Sequence, residues 1–219
     1  MSAGTQQQPR SDDESRLPLS DFDPHHQPAA LPEATRALIC GRQNVSPKRL
    51  VEPGPLAQQR HDMLRMAAAA PDHGQLVPWR FVIVPAHKRE LLAGVFALAL
   101  IDRDPGATLE QIEAAREKAH RAPLLMLAIA RLGADPPSIP SVERLVSCGA
   151  AVQNMLLAAH AMGFGSGLTS GQAMSSARMR RLFSLADGEQ PVCFVNIGTV
   201  VGRKPPRVRP APEFFCSTL

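Results

Sequence analysis

The stretch Cys148-Gly149-Ala150-Ala151-Val152-Gln153-Asn154-Met155-Leu156-Leu157-Ala158-Ala159-His160-Ala161-Met162 is apolar or small on nearly every face of a helix, interrupted by Gln153, Asn154 and His160. A helix with one apolar stripe rests on a core from one side, whereas a helix that is apolar all round has to be covered on all sides. Extended back to Pro140, the stretch predicts a helix over about 141–161, the longest of the chain, with Gly163 as its C-terminal stop. In a chain of 219 residues, full cover implies a central helix or one shared with a second copy. Polar substitution at Met155 or Leu156 is then expected to separate the two copies or to unfold them.

Outward from this helix, residues 124–130 (Leu-Leu-Met-Leu-Ala-Ile-Ala) are too short and too continuously apolar for a surface helix. They predict a buried strand. Further strands are expected at 80–84, near 164–169 and at 191–198. Helices are expected at about 33–41, 56–69, 87–101, 109–120 and 175–184, with Leu56, Met63, Leu64 and Ala67 sharing a face of the second. Residues 42–55, with two prolines, read as irregular. Helices dominate and strands number about four, so the fold class is α+β, a helix-rich domain around a small sheet. Residues 1–30, rich in Gln, Pro, Ser, Asp and His, cannot bury enough surface to offset their ordering entropy and read as a flexible arm. The domain proper spans 31–202, and 203–219 form an extended basic C-terminal arm packing on the domain or on a partner subunit.

Composition narrows the function. With no Tyr and one Trp, the chain lacks the aromatic platforms on which single-stranded nucleic acid stacks. A net charge of +4 is modest, although Arg203, Lys204, Arg207 and Arg209 cluster near the C-terminus against the single acid Glu213. Such a cluster binds nucleic acid, holds a phosphate ligand or is simply solvated; scarce aromatics argue against nucleic acid. The four cysteines Cys40, Cys148, Cys193 and Cys216 form no C-x-x-C pair and have no His at zinc spacing, so no metal site is expected. Cys148 and Cys193 sit in apolar runs and read as small core residues. The N-terminus lacks the apolar region of a secretory signal and no run spans a membrane, so the expected compartment is the reducing cytoplasm.

Four irregular segments are candidates for chemistry. Arg42-Gln43-Asn44-Val45-Ser46-Pro47-Lys48-Arg49 mixes cations with hydroxyl and amide groups, as an anion such as phosphate requires; a solvated loop is the competing reading. Ala70-Pro71-Asp72-His73-Gly74-Gln75-Leu76-Val77-Pro78-Trp79-Arg80-Phe81 brackets a His and a Gly between prolines and runs into a strand. Alone, Trp79 reads as a core anchor and His73 equally as a turn residue. Gly163-Phe164-Gly165-Ser166-Gly167-Leu168-Thr169-Ser170-Gly171 allows close backbone approach to a flat or charged ligand. It follows a helix instead of linking strand to helix, so it is no dinucleotide fingerprint. The basic tail is the fourth. Glu110 to Glu117 read as a solvated helix face, and no hydrolase elbow or zinc-protease pair is present.

Together these segments resemble the nitroreductase superfamily, in its compact single-domain NAD(P)H nitroreductase branch. The match is carried by the Arg-rich loop after the first helix, by 70–81 and by 163–171. Arg-Ala-Pro at 121–123, Gly-Ala-Ala-Val-Gln-Asn-Met-Leu-Leu-Ala-Ala at 149–159 and Ile-Gly-Thr at 197–199 add to it. The resemblance covers about 33–210. It implies a helix-rich α+β domain on a mostly antiparallel sheet, paired as a homodimer through a long central helix, with FMN at the subunit interface. Arg42, Gln43, Asn44 and Ser46 would hold the phosphate and ribityl chain, and Arg207 or Arg209 would complete the phosphate site. His73 and Val77 would approach the flavin, from the partner subunit, while Leu168, Thr169 and Ser170 would line its ring. Lys48 and Arg49 are candidates to stabilise negative charge on the reduced ring. Relatives show a shorter phosphate loop, so two residues stand inserted near Pro47-Lys48. The implied activity is ping-pong transfer of reducing equivalents from NADH or NADPH to a small oxidised acceptor such as a nitroaromatic or quinone. No side chain is needed as a catalytic base. The alternative is a non-catalytic flavin-binding or sensor protein.

Overall fold

The computed structural model describes residues 30–133, 136–202, 205 and 207–219. The arm expected over 1–30 lies outside the described residues, apart from Ala30. Five strands, β1 (Leu50–Val51), β2 (Trp79–Ile83), β3 (Leu124–Arg131), β4 (Gly165–Thr169) and β5 (Glu189–Val200), form one wholly antiparallel sheet. β3 lies between β2 and β5, and β5 also pairs with β4 and β1. Six α-helices surround it: α1 (Leu31–Gly41), α2 (Ala57–Ala68), α3 (Arg89–Arg103), α4 (Leu109–Arg116), α5 (Ser141–Ala161) and α6 (Ala177–Leu182).

The continuous apolar run of β3 follows from cover on both faces, because successive side chains point to opposite sides. Leu124, Met126, Ala128 and Ala130 enter a core with Met63 and Ala67 of α2, Val195 and Ile197 of β5, and Cys148, Val152 and Met155 of α5. Leu125, Leu127 and Ile129 enter a second core with Leu92 of α3, Met179 of α6 and Phe194 of β5. Trp79 opens β2 opposite Ala130 and is buried in the first core, as a core anchor. Both core cysteines are buried, and burial pushes each thiol up to about 11.

The helix over 141–161 has the bounds expected of it. Its end is a Schellman motif: Phe164 N–H donates to Ala159 O at 2.9 Å, Gly163 N–H to His160 O at 3.0 Å, and Gly163 takes φ +86°. β4 follows at Gly165, so helix and strand are joined by three residues. Met155 and Leu156 are buried inside the chain's own core. The face left open lies earlier on α5, where Val142 and Val146 are 63% and 67% exposed. Polar changes at Met155 and Leu156 therefore test folding, and changes at Val142 and Val146 test pairing.

Other differences have local causes. β1 was expected to be irregular; its two residues pair Leu50 with Val200 and Val51 with Thr199, a contact set by β5 and not by local pattern. Leu56 sits before α2 and is exposed, off the face of Met63 and Ala67. The helix expected at 175–184 is split by Ser176, whose hydroxyl accepts from Met179 N–H at 3.1 Å and starts α6 afresh after a 3-10 turn, Gln172–Ser175. β5 begins earlier than expected and tolerates Pro191 because the register shifts between Ala128 and Ile129 of β3, a bulge where a missing N–H costs little. No helix among the described residues is long and apolar enough to cross a membrane.

Candidate active site

Two cavities meet β4, one at each end. The smaller, about 60 Å3, is lined by Arg42, Gln43 and Asn44, by Arg49, and by Gly165 and Ser166 at the start of the strand. The larger, about 490 Å3, opens at Thr169 and Ser170 and reaches beneath α4. Four residue steps lead from Ser166 to Ser170, about 13 Å at the usual strand rise.

The loop after α1 is fixed against β4 by backbone. Val45 N–H donates to Ser166 O at 2.8 Å, and Leu168 N–H donates to the Asn44 side-chain oxygen at 3.4 Å. Gly167 is required here, since a Cβ on it would lie 2.1 Å from the carbonyl oxygen of Val45. Pro47–Arg49, where an insertion is expected, coil into a 3-10 turn. Arg49 is thereby returned to the small cavity, its Nε donating to Val201 O at 3.3 Å.

The electrostatics of the small cavity are unbalanced. Arg42 Nε and Ser166 Oγ are both buried and have no hydrogen-bond partner among the described residues. Burial lowers the Arg42 guanidinium from its ordinary value, and the like charge of Arg209 lowers it further. The tail thus returns Arg209 to within electrostatic range of Arg42. Two cations brought together beside unused donors lack an anion, and a phosphate monoester supplies both charge and acceptor oxygens. The small volume suits such a group.

At the other end, Asn196 is buried beneath the strand and its amide nitrogen donates to Gly167 O at 3.1 Å and to Thr169 Oγ1 at 3.0 Å. This fixes the backbone and side chain on which a planar ring would lie. Leu168, 40% exposed, sits between the two cavities.

The fold brings Arg42, Gln43 and Asn44 to one end of β4, and Thr169 and Ser170 to the other. Ser46, Lys48, Arg207 and Arg209 are exposed and line neither cavity, and Arg209 acts on Arg42 only through its charge. His73 and Val77 are elsewhere on the same chain. They occupy a tight corner where the Asp72 carboxylate accepts from Leu76 N–H at 3.1 Å and Val77 N–H at 2.7 Å. Gly74 and Val77 take φ +70° and +47° there, and His73 Nδ1 lies 2.9 Å from Glu143 at the start of α5. Both residues are exposed, His73 against Glu143 of α5, and within one chain neither lines a cavity at β4. Sequence reasoning passed over Ser166 and Asn196. Asn196 carried a signal, as the polar interruption of an apolar strand; Ser166 lay inside the glycine segment with none of its own. No cluster that could hold a metal occurs among the described residues.

Residues 51–199 match the Nitroreductase family. The chain is 33% identical over 162 residues to "Putative NAD(P)H nitroreductase YdjA" of Escherichia coli, covering 74% of this chain and 86% of that protein. It is 30% identical over 154 residues to a "Putative NAD(P)H nitroreductase" of Haemophilus influenzae, covering 70% and 83%. Among solved structures, a nitroreductase-like family protein from Bacillus cereus superimposes with TM-score 0.73 at 17% identity, over 84% of this chain and 94% of that one. An FMN-dependent nitroreductase from Clostridium difficile superimposes with TM-score 0.56 at 16% identity, over 78% and 91%. By sequence, with a fold to match, this chain belongs to the nitroreductase family and is an oxidoreductase.

Proposed function

We propose that the chain binds FMN along β4, with the phosphate between Arg42, Ser166 and Arg209 and the ring over Leu168, Thr169 and Ser170. In this reading it uses NADH or NADPH to reduce a small oxidised acceptor such as a nitroaromatic or quinone. The observation that carries the proposal is the pair of unused buried donors, Arg42 Nε and Ser166 Oγ, beside two like charges. Bound FMN supplies the redox chemistry, alternating between NAD(P)H and the acceptor in one pocket. For a nitroarene the balance is R–NO2 + NAD(P)H + H+ → R–NO + NAD(P)+ + H2O. The chain's own residues bind and orient. Arg42 and Arg209 anchor the anionic end, Gln43 and Asn44 meet the ribityl chain, and Asn196 holds the Thr169 platform. Of the two further candidates Lys48 and Arg49, Arg49 lines the small cavity and Lys48 does not, so Arg49 keeps the role.

The functional unit is a homodimer in this reading. Val142 and Val146 give α5 an exposed apolar face, and the partner's His73 and the partner's Val77 complete the flavin pocket. Four free thiols and no disulfide fit a reducing cytoplasm. A visible spectrum of the purified protein, followed by NAD(P)H titration with and without a nitroaromatic, tests the proposal. Flavin absorbance bleached by NAD(P)H and restored by the acceptor is expected. A colourless protein that refuses added FMN overturns it, and a flavin that NAD(P)H does not reduce leaves a binding protein in place of an enzyme.

A further inference from the structure

The large cavity extends well past Thr169 and Ser170, into the space between β3, β5, α3 and α4. Its volume, about 490 Å3, lies in the range of small-molecule sites. Phe96, Leu100, Leu125 and Phe194 make its floor apolar. Its charged lining residues are Arg103, Lys118 and Arg121, and no carboxylate joins them. Three cations from two neighbouring elements converge on one apolar cavity: Arg103, the last residue of α3, Lys118 in the 3-10 turn Glu117–His120, and Arg121, which directly follows that turn.

Of these cations, Arg121 has its backbone held in place, while Arg103 and Lys118 line the cavity as exposed side chains. Arg121 stands on a backbone held by Arg89, whose Nη1 donates to the carbonyl oxygens of Ala119, Arg121 and Ala122 at 2.9, 3.2 and 3.1 Å. α4 is started by a capping box between Thr108 and Gln111, which sets the helix at the cavity edge. Asp102, adjacent to Arg103, is already engaged by both nitrogens of Arg178 at 2.6 and 2.9 Å. Arg103 and Lys118 have no ion pair among the described residues, and Arg121 has Glu117 at 3.8 Å. Low-dielectric walls focus the field of such unpaired charges into the cavity.

Resting on the function proposed above, we propose that this cavity is the acceptor subsite and that it selects aromatic acceptors carrying an anionic substituent. The ring packs on Phe96, Leu125 and Phe194, and a carboxylate or comparable anion meets Arg103, Lys118 and Arg121. A neutral acceptor of the same shape gains the floor but not the cations.

The test pairs 4-nitrobenzoate with its uncharged isostere 4-nitrobenzamide on the FMN-loaded protein. A single charge-assisted contact corresponds to about tenfold, so kcat/KM is expected to favour the benzoate by about tenfold or more. In the double variant Arg103→Met/Lys118→Met that preference falls to about twofold or less, while kcat/KM for the benzamide and KM for NADPH stay near those of the parent. Equal rates for the two compounds in the parent protein overturn the proposal, as does a preference that survives the double variant. A rise in KM for NADPH with none for the benzoate assigns the cations to the dinucleotide phosphates and also overturns it. Calorimetric titration with 4-nitrobenzoate and 4-nitrobenzamide separates the two readings. Preferential benzoate binding without NAD(P)H turnover sinks the proposed function and keeps the anion subsite. Turnover without preference sinks the subsite and keeps the function.

Discussion

Arg89 and Arg42 are both arginines drawn out of water by the fold, and they are treated in opposite ways. Arg89, 6% exposed, gives its donors to five carbonyl oxygens, those of Val84, Ala119, Arg121, Ala122 and Pro123, all within 3.2 Å. It ties the start of α3 to the turn that feeds β3. Arg42 keeps a buried nitrogen without a partner and has a second arginine as its electrostatic neighbour. A third case lies between them: Arg80 is gripped by both oxygens of Glu189 at 2.7 Å. The contrast separates structure from site. A buried cation whose donors are all used belongs to the architecture, and one whose donors are idle beside a like charge is set to receive something.

The contrast is sharpest where it can be broken. Arg89→Met should be the most damaging change, leaving five carbonyls without their donor and lowering unfolding free energy by about 4 kcal/mol. Urea denaturation measures it, and a midpoint near that of the parent protein would remove Arg89 from the framework. Glu189→Gln should cost about 2–3 kcal/mol at neutral pH, because it strands the Arg80 charge. The Arg80 guanidinium holds the Glu189 carboxyl well down, at about 2 against an ordinary 4.5. A depressed carboxylate contributes its stability above the unfolded value, so the contribution is complete above pH 4.5 and is lost as pH falls towards 2. Acid denaturation curves should therefore be flatter across that window in the Gln variant, and parallel curves would assign the acid loss elsewhere.

Arg42→Ala reverses the pattern. FMN binding should weaken by about 1.5–3 kcal/mol, the usual worth of a hydrogen bond to a charged group. The flavin-free protein should unfold at the same urea concentration as the parent or slightly higher, since a strained like-charge pair has been relieved. Fluorescence titration with FMN and urea melts read the two arms; a stability loss without an affinity loss would make Arg42 a second Arg89. Ser166→Ala should be the mildest, weakening FMN by about 1 kcal/mol and leaving the flavin-free protein unharmed, because the hydroxyl has no partner in the chain to lose.

The framework was largely legible in the sequence, and the site was legible in part. β3 and α5 announce themselves because full burial forces nearly unbroken apolar composition on them, which is a local property. β1 is invisible to such reading, since two residues carry no periodicity and are ordered by β5. Arg42, Asn44 and the glycine segment stand out by composition and by family resemblance. The idle state of Arg42 Nε does not, because it depends on what surrounds one nitrogen in three dimensions. Lys48 and Arg49 look alike in the sequence, but the turn Pro47–Arg49 leaves Lys48 exposed and brings Arg49 to the small cavity. Lys118 and Arg121 stand three apart around one turn, but Arg103 joins them only through the packing of α3 on that turn, so no spacing rule gathers all three. His73 and Val77 remain on the outward face of their own chain, where a single-chain fold has no use for them.

The three-residue junction between α5 and β4 has a consequence for anyone reshaping this molecule. The rod that carries the exposed valines and the ledge proposed to carry the cofactor are effectively one rigid piece, with no slack to absorb a shift between them. Lengthening that joint would misalign both ends at once. The exposed connection from Asp104 to Thr108, by contrast, borders the acceptor cavity without touching the ledge, so a library meant to broaden the range of compounds reduced has its natural latitude there.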